Sequence, residues 1–336
     1  MAVVLTLPWQ AQAILALAVV FGFLNGLNDA PNIVATIIAS HSMRPRTALW
    51  LTAVANGVGP FLFGVAVATT IGHDLVAQEV LTLPVIGAAT VAAVFWNIVT
   101  WRLAIPSSSS HTLIGGLIGA ALSAVGWQAL ILGGLAKVMI ALFISPPLGL
   151  AVGFLTMRLI TWLADVFSFS PRINGALRTG QWITATWLAL SHGAADGQKT
   201  MGIIAMTLVA GGALTAFEVP LWVVAASAAV IALGTVFGSW RLIKTLGRGL
   251  YQVRPIHSFS SQLASAVVIL GASLLGGPIS STQVIGTAIM GAGSAERINK
   301  VRWGLIQKIA LSWLLTIPIT AVLAGVLVQV MIRVLS

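Results

Sequence analysis

Residues 25–32 read Asn-Gly-Leu-Asn-Asp-Ala-Pro-Asn, and residues 192–199 read His-Gly-Ala-Ala-Asp-Gly-Gln-Lys. Both place Gly-x-x-Asp inside a stretch that is otherwise apolar, 167 positions apart. A second pair follows in the same order. Residues 106–111 read Pro-Ser-Ser-Ser-Ser-His and residues 278–283 read Pro-Ile-Ser-Ser-Thr-Gln, 172 positions apart. Two motifs recurring at nearly one interval divide the chain into halves. Residues 1–160 form the first repeat and 181–336 the second, with 161–180 expected as a cytoplasmic linker.

The surroundings of these motifs decide the solvent. Of 336 residues, 58% are hydrophobic and only 7% charged, and the mean hydropathy is +1.02. A soluble domain carries about a quarter of its residues charged, so this chain is read as an all-α polytopic membrane protein. Apolar stretches recur near 11–40, 47–71, 81–101, 108–126, 129–160, 181–210, 217–240, 257–276, 280–294 and 304–332. That is about ten membrane-embedded segments of roughly spanning length. The stretch at 280–294 is short and reads as re-entrant, and Pro146 with Pro147 would bend 129–160. Met1 to Gln10 carry no basic region and no small-residue cleavage site follows, so the first apolar stretch is expected to be retained.

Charge orients the layout. The formal net charge of +10 follows the rule that cytoplasmic loops hold Lys and Arg. No basic run is long enough to track nucleic acid. With the N-terminus outside, fourteen of the seventeen basic residues fall in inside loops, among them Arg44, Arg46, Arg178, Arg254 and Arg297. Asp74, Glu79 and Glu218 fall outside. With five segments per half, the two copies run in opposite directions. Such inverted repeats characterise secondary transporters, whose sites lie mid-membrane at interrupted helices. The absence of cysteine removes disulfides, thiolate metal sites and cysteine nucleophiles.

Asp29 and Asp196 are the carboxylates that fall within spans. A charge at the bilayer centre costs about 2.5–3.5 kcal/mol on insertion scales, so it persists where it is paired or lines a polar pathway. Gly26 and Pro31 flank Asp29, and Gly193 and Gly197 flank Asp196, which predicts local unwinding of both helices. Freed carbonyls, the carboxylates and the amides of Asn25, Asn28, Asn32 and Gln198 would then coordinate a hard cation. The Ser-rich loops suit an anion. Each leads into a helix expected to begin near Leu113 or Val284, and a helix N-terminus attracts an oxyanion. Anion donors beside two carboxylates would repel the anion unless a cation shares the chamber, so the pattern predicts symport. Lys199 either pairs with Asp196 or adds positive potential. His111 either carries a proton or fixes its loop, and His192 follows the same logic. Gly115-x-x-x-Gly119 and Gly149-x-x-x-Gly153 read as helix packing, and the twelve Trp residues mostly as interface anchors.

At these motifs the sequence resembles the PiT family of inorganic phosphate transporters. That family carries a Gly-Ala-Asn-Asp-Val-Ala-Asn type signature twice, each copy followed by a Pro-Val-Ser-Thr-Thr-His type loop. The second copy here, with Gln198-Lys199 after the Asp, is similar to the bacterial low-affinity branch, and Trp240-Arg241 and Ser261 to Ser265 extend the likeness. The resemblance implies phosphate uptake across the plasma (inner) membrane by proton or sodium symport, without a resident cofactor. In many bacterial members the moving species is a neutral complex of a divalent metal with hydrogen phosphate. Ser108, Ser109, Ser110, Ser280, Ser281, Thr282, Asn28, Gln198 and Lys199 are assigned to substrate, and Asp29, Asp196, Asn25, Asn32 and His111 to the coupling ion. No metal ligand set is assigned. Three departures stand out: Ala195 replaces the usual Asn, Gln283 the usual His, and Asn56 and Gln262 the Glu residues of sodium-coupled members. Fewer anionic ligands weaken a sodium cage and favour proton coupling. A sulfate or other oxyanion permease of the same fold is the alternative. An intramembrane hydrolase using Ser110 and His111 is disfavoured, since adjacent residues seldom align hydroxyl and imidazole and no Gly-x-Ser-x-Gly elbow occurs. A homodimer in the bilayer is compatible with the sequence.

Overall fold

Hydrocarbon offers no partner for backbone amides, so an apolar chain closes its hydrogen bonds within helices. The computed structural model is accordingly helical, with no strand among the described residues. Those residues are 2–103, 105, 107–167, 173–238, 243 and 253–335. Pro106, Arg172, Trp240, Arg241, Lys244 and Arg248 lie outside them.

After a short helical turn at Ala2–Leu5, the helices are α1 (Trp9–Ala39), α2 (Pro45–Val58), α3 (Ala66–Thr69, continued by a π turn Thr70–Asp74), α4 (Leu83–Leu103) and α5 (Ser109–Val125). They continue as α6 (Leu132–Val166), α7 (Ile173–Ala210), α8 (Leu221–Val236), α9 (Pro255–Leu274), α10 (Ser281–Arg297) and α11 (Trp303–Leu335). Counted with α2 and α3 as one bent segment, they fall on the expected segments. Among the described residues five stretches, in α1, α4, α6, α9 and α11, are long and apolar enough to cross a membrane, and the bent pair is a sixth. Helices α6 and α7 reach into 161–180 from both sides, so most of the expected linker is helical.

Two expectations about helix breaks are corrected. Helices α1 and α7 run unbroken through Asp29 and Asp196, with Pro31 inside α1. Side-chain donors serve both carboxylates, so no freed backbone is needed there. The pronounced break falls instead between α2 and α3, which meet at 69°. Pro60 sits in a 3-10 turn at that break, and Gly64 adopts φ +74°, a conformation that glycine tolerates. The second correction is that α5 and α10 begin at Ser109 and Ser281, earlier than expected. The hydroxyl residues are therefore the first turns of these helices.

The packing repeats between halves. Helix α6 lies on α10 as α11 lies on α5; α1 lies on α8 as α7 lies on α2; α9 joins α7, α10 and α6 as α4 joins α1, α5 and α11. Matching glycines allow the close approaches. A Cβ on Gly26 would sit 2.3 Å from Ile231 O of α8, and one on Gly193 would sit 2.3 Å from Asn56 O of α2. The two small-residue motifs pack helices as expected: Gly119 faces Ala321 O of α11, and Gly153 faces Ala288 O of α10. Trp9, Trp127 and Trp162 are exposed near helix ends, where anchors belong, and Trp50 and Trp182 are exposed farther along α2 and α7.

Helices α1 and α7 cross antiparallel. Ser40, at the end of α1, donates to Gln181 Oε1 near the start of α7 (3.2 Å). A Cβ on Gly22, nearer the start of α1, would lie 2.8 Å from Thr200 Oγ1, well along α7. The two Asp residues are thereby brought together at the crossing.

Candidate functional site

Asp29 and Asp196 are 1% and 0% exposed. Ligand atoms of Asp29, His192 and Asp196 all lie within 4.8 Å of one another. The N-termini of α5 and α10 reach this cluster from the two halves.

Asp29 is held by uncharged donors. Thr282 Oγ1 donates to its Oδ1 at 2.6 Å, Asn32 Nδ2 to the same oxygen at 2.9 Å, and Ser109 Oγ to Oδ2 at 3.4 Å. Asn32 Nδ2 also reaches Thr282 Oγ1 at 3.0 Å. Asp196 has a cation. Lys199 Nζ donates to its Oδ1 at 2.7 Å, and Ser281 Oγ approaches Oδ1 and Oδ2 at 3.3 and 3.2 Å. Lys199, itself 1% exposed, also donates to Ser109 Oγ at 3.0 Å. Of the two roles open to Lys199, pairing with Asp196 is present, and the same amine reaches the opposite loop.

These bonds follow the repeat. Asn32 stands three residues after Asp29 as Lys199 stands three after Asp196, and each donates to its carboxylate. Ser109 bonds Asp29 as Ser281 bonds Asp196. Ser108 and Ser280 are N-caps, accepting from the backbone N–H of His111 and Gln283, both at 3.3 Å. The first turn of each helix still leaves N–H groups without an intrahelical acceptor, and these are at Ser109, Ser110, Ser281 and Thr282. With both carboxylates ionised and Lys199 protonated, the cluster is formally one charge negative.

Other expected members stand apart. Gln198 is not in the cluster: its Oε1 accepts from the N–H groups of Val67 (2.7 Å) and Ala68 (3.3 Å), capping α3, and its Nε2 donates to Ser273 Oγ (3.3 Å). Ser110 donates to Ile279 O at 2.7 Å, tying one tip to the other. His111 meets neither carboxylate; its Nδ1 is 2.7 Å from Ser108 Oγ and its Nε2 is 3.4 Å from Gln283 Nε2, where the repeat-related pair touch. Both line a largely apolar cavity of about 340 Å³ between α6, α10 and α11. Asn25 Nδ2 reaches Asp196 O at 3.5 Å and Asn28 Nδ2 reaches Asn97 O at 3.3 Å, while both amide oxygens are buried without a hydrogen-bond partner.

His192, which the sequence does not single out above His111, belongs to the cluster. Its Nε2 is 3.2 Å from Asp196 Oδ2, yet neither ring nitrogen makes an aligned hydrogen bond. The contact is proximity without a bond, because hydrogen bonds require direction as well as distance. A signal exists in the repeat: His192 is the counterpart of Asn25, one helical turn before the Asp.

Comparison with known proteins points one way. The phosphate transporter family matches residues 25–324. A protein of Rhizobium meliloti (strain 1021), described as a probable low-affinity inorganic phosphate transporter, is 40% identical over 313 residues, 93% of each chain. One of the same description from Bacillus subtilis (strain 168) is 38% identical over 312 residues, 92% of this chain and 93% of its own. Among solved structures, one described as the sodium-dependent phosphate transporter superposes with a TM-score of 0.88 at 21% identity, over 96% of this chain and 99% of its own. That likeness concerns the fold.

Proposed function

Since the chain belongs to the phosphate transporter family, we propose that it takes up inorganic phosphate across the plasma membrane by cation symport. One observation carries this reading: the N-terminal turns of α5 and α10, one from each half, converge on the same two buried carboxylates. Helix N-termini and hydroxyls attract an oxyanion. The carboxylates and the unpaired amide oxygens of Asn25 and Asn28 attract a cation. Neither ligand is stable there without the other, and that mutual need is the physical basis of coupling.

In this reading Ser109, Ser110, Ser281 and Thr282 hold phosphate through hydroxyl and backbone donors, with Ser108 and Ser280 setting the caps. Asp29 faces the coupling cation, because its donors are uncharged and exchangeable. Lys199 neutralises Asp196 and offers positive charge to the anion through Ser109. Phosphate keeps protons that an Asp can accept, whereas sulfate offers none, and this favours phosphate. Asn56 and Gln262 in place of carboxylates favour a proton over sodium. His192 beside both carboxylates fits a divalent metal travelling with phosphate, since imidazole and carboxylate oxygens suit such ions.

The halves act as inverted repeats that rock about the site; the matched packing and the antiparallel crossing of α1 and α7 support this. The end of the bundle where Ser40, Gln181 and Pro255 meet is flanked by exposed Arg44, Arg178 and Arg254, so it faces the cytoplasm and the N-terminus lies outside.

The test is uptake of labelled phosphate by the purified protein in vesicles, with pH and sodium gradients imposed separately, with and without divalent metal, and with sulfate as competitor. Uptake indifferent to both gradients would defeat symport, and sulfate displacing phosphate at equal concentration would favour the permease alternative.

A further inference from the structure

Between the carboxylates and the arginine-flanked end of the bundle, α1, α7 and α9 bury a run of polar side chains beside a small apolar cluster that includes Ile33, Leu188 and Ile269. Thr36 and Ser40 continue the face of α1 that bears Asp29 and Asn32. Gln181 and Thr184 precede His192 on α7, and Ser258 and Gln262 lie on α9. All six are buried, and they bond mainly to one another. Thr184 Oγ1 donates to Gln262 Oε1 at 2.6 Å; Gln262 Nε2 donates to Ser258 Oγ at 2.8 Å and to Thr36 Oγ1 at 3.2 Å. Ser258 and Ser40 both donate to Gln181 Oε1, at 2.8 and 3.2 Å, and Ser40 lies 2.9 Å from half-buried Ser42.

We infer that this hydrogen-bonded seam is the route by which the anion leaves the site toward the basic end of the bundle. The inference rests on the transport reading above and adds to it the release path. The six residues offer hydroxyl and amide donors and no carboxylate, so an oxyanion meets partners without repulsion. They also include no Lys or Arg, so nothing there retains it, as a conducting path requires. In the opposite direction the equivalent stretch of α1 is hydrocarbon: Ala11, Ile14, Ala18 and Phe21 are buried in the largest apolar cluster. Parting that cluster would expose apolar surface to water. Parting the seam exchanges protein hydrogen bonds for water hydrogen bonds at little net cost, and the apolar cluster beside it, with Ile33, Leu188 and Ile269, is much smaller than the one on the other side. The seam therefore opens more readily than the helix contacts beyond the site. Its three helices carry both Asp residues and lead into the second tip, so opening it is linked to the ligands.

The chain has no cysteine, so single cysteines report without background. Vesicles containing Thr184→Cys or Ala18→Cys are treated on either side with a membrane-impermeant thiol reagent, with and without inorganic phosphate. Thr184→Cys should react from the side of the basic end, about tenfold faster while phosphate is exchanging, and Ala18→Cys should not react from that side. In parallel, Thr184→Val should keep labelled-phosphate binding within about twofold and slow phosphate efflux by about tenfold, the weight of one hydrogen bond. Thr184→Ser should restore efflux, which separates loss of the hydroxyl from a folding defect. Phosphate exchange that persists with an unreactive Thr184→Cys, or efflux unchanged in Thr184→Val, would overturn the route alone. A wild-type chain that moves no phosphate would overturn the transport reading and this inference with it.

Discussion

Thr282 Oγ1 donates to Asp29 Oδ1 at 2.6 Å, across 253 positions of sequence. The bond joins the tip of the second half to the carboxylate of the first, so the surroundings of Asp29 are completed by the other half. A hydrogen bond to a charged group contributes about 1.5–3 kcal/mol. Thr282→Val keeps the shape and removes the donor. Phosphate uptake at subsaturating phosphate should fall by about ten- to a hundredfold, and Thr282→Ser should retain most of it. Initial uptake rates, normalised to protein in the membrane, decide this; a Val variant with normal rates would show that the bond is structural only.

The two carboxylates should answer differently to the same change. Asp196→Asn leaves Lys199 buried without its partner, and breaking a buried ion pair costs about 3–5 kcal/mol. Asp29 has uncharged donors, and Asp29→Asn preserves most of its shape. Thermal unfolding in detergent should drop clearly for Asp196→Asn and little for Asp29→Asn. Uptake should be lost in both, and counterflow insensitive to any imposed cation gradient is expected of Asp29→Asn. Equal unfolding shifts would contradict the assignment of distinct partners.

Much of this site is legible in the sequence because a carboxylate is costly in an apolar helix, and a costly residue repeated at matched positions marks a polar site. The pairing of Lys199 with Asp196 and the packing of Gly119 and Gly153 follow from local spacing on a helix. The helix breaks do not follow. Gly26 and Pro31 resemble a breaking sequence, but donors from Thr282 and Ser109, which only the fold brings near, make unwinding unnecessary. Gln198 shows the same limit. It sits inside the signature, yet the bend at Pro60 and Gly64 places the bare N-terminus of α3 against it, and it becomes a cap. His192 escapes a linear reading because a lone histidine usually fixes local structure, and nothing in its spacing reveals the second carboxylate beside it.

Asn32 and Lys199 occupy equivalent places three residues after their carboxylates, which makes the charge of the site adjustable by one substitution. Lys199→Asn copies the first half onto the second and takes the formal cluster charge from one negative to two. The half-saturating phosphate concentration should rise by about tenfold or more, since nearby charges act strongly in a buried site. On the symport proposed above, raising the cation concentration should recover part of the loss. A variant with unchanged phosphate affinity would remove Lys199 from anion binding and leave it as a structural partner of Asp196.

Packing of the repeat ends is testable without touching the site. A Cβ on Gly119 would lie 2.0 Å from Ala321 O, and because that atom is backbone, α5 and α11 would have to separate. Gly133, in the first turn of α6, has nothing within 4 Å of its would-be Cβ. Gly119→Ala should therefore lower the unfolding temperature and the folded yield, an overpacking penalty of about 1–3 kcal/mol. Gly133→Ala should be neutral or stabilising by up to about 1 kcal/mol, because alanine restricts the unfolded chain at a helical position. Both variants keep every side chain around Asp29 and Asp196. If Gly119→Ala folds as well as wild type and Gly133→Ala does not, α5 and α11 do not meet backbone to backbone, and the placement of the Ser109 tip that depends on that contact fails too.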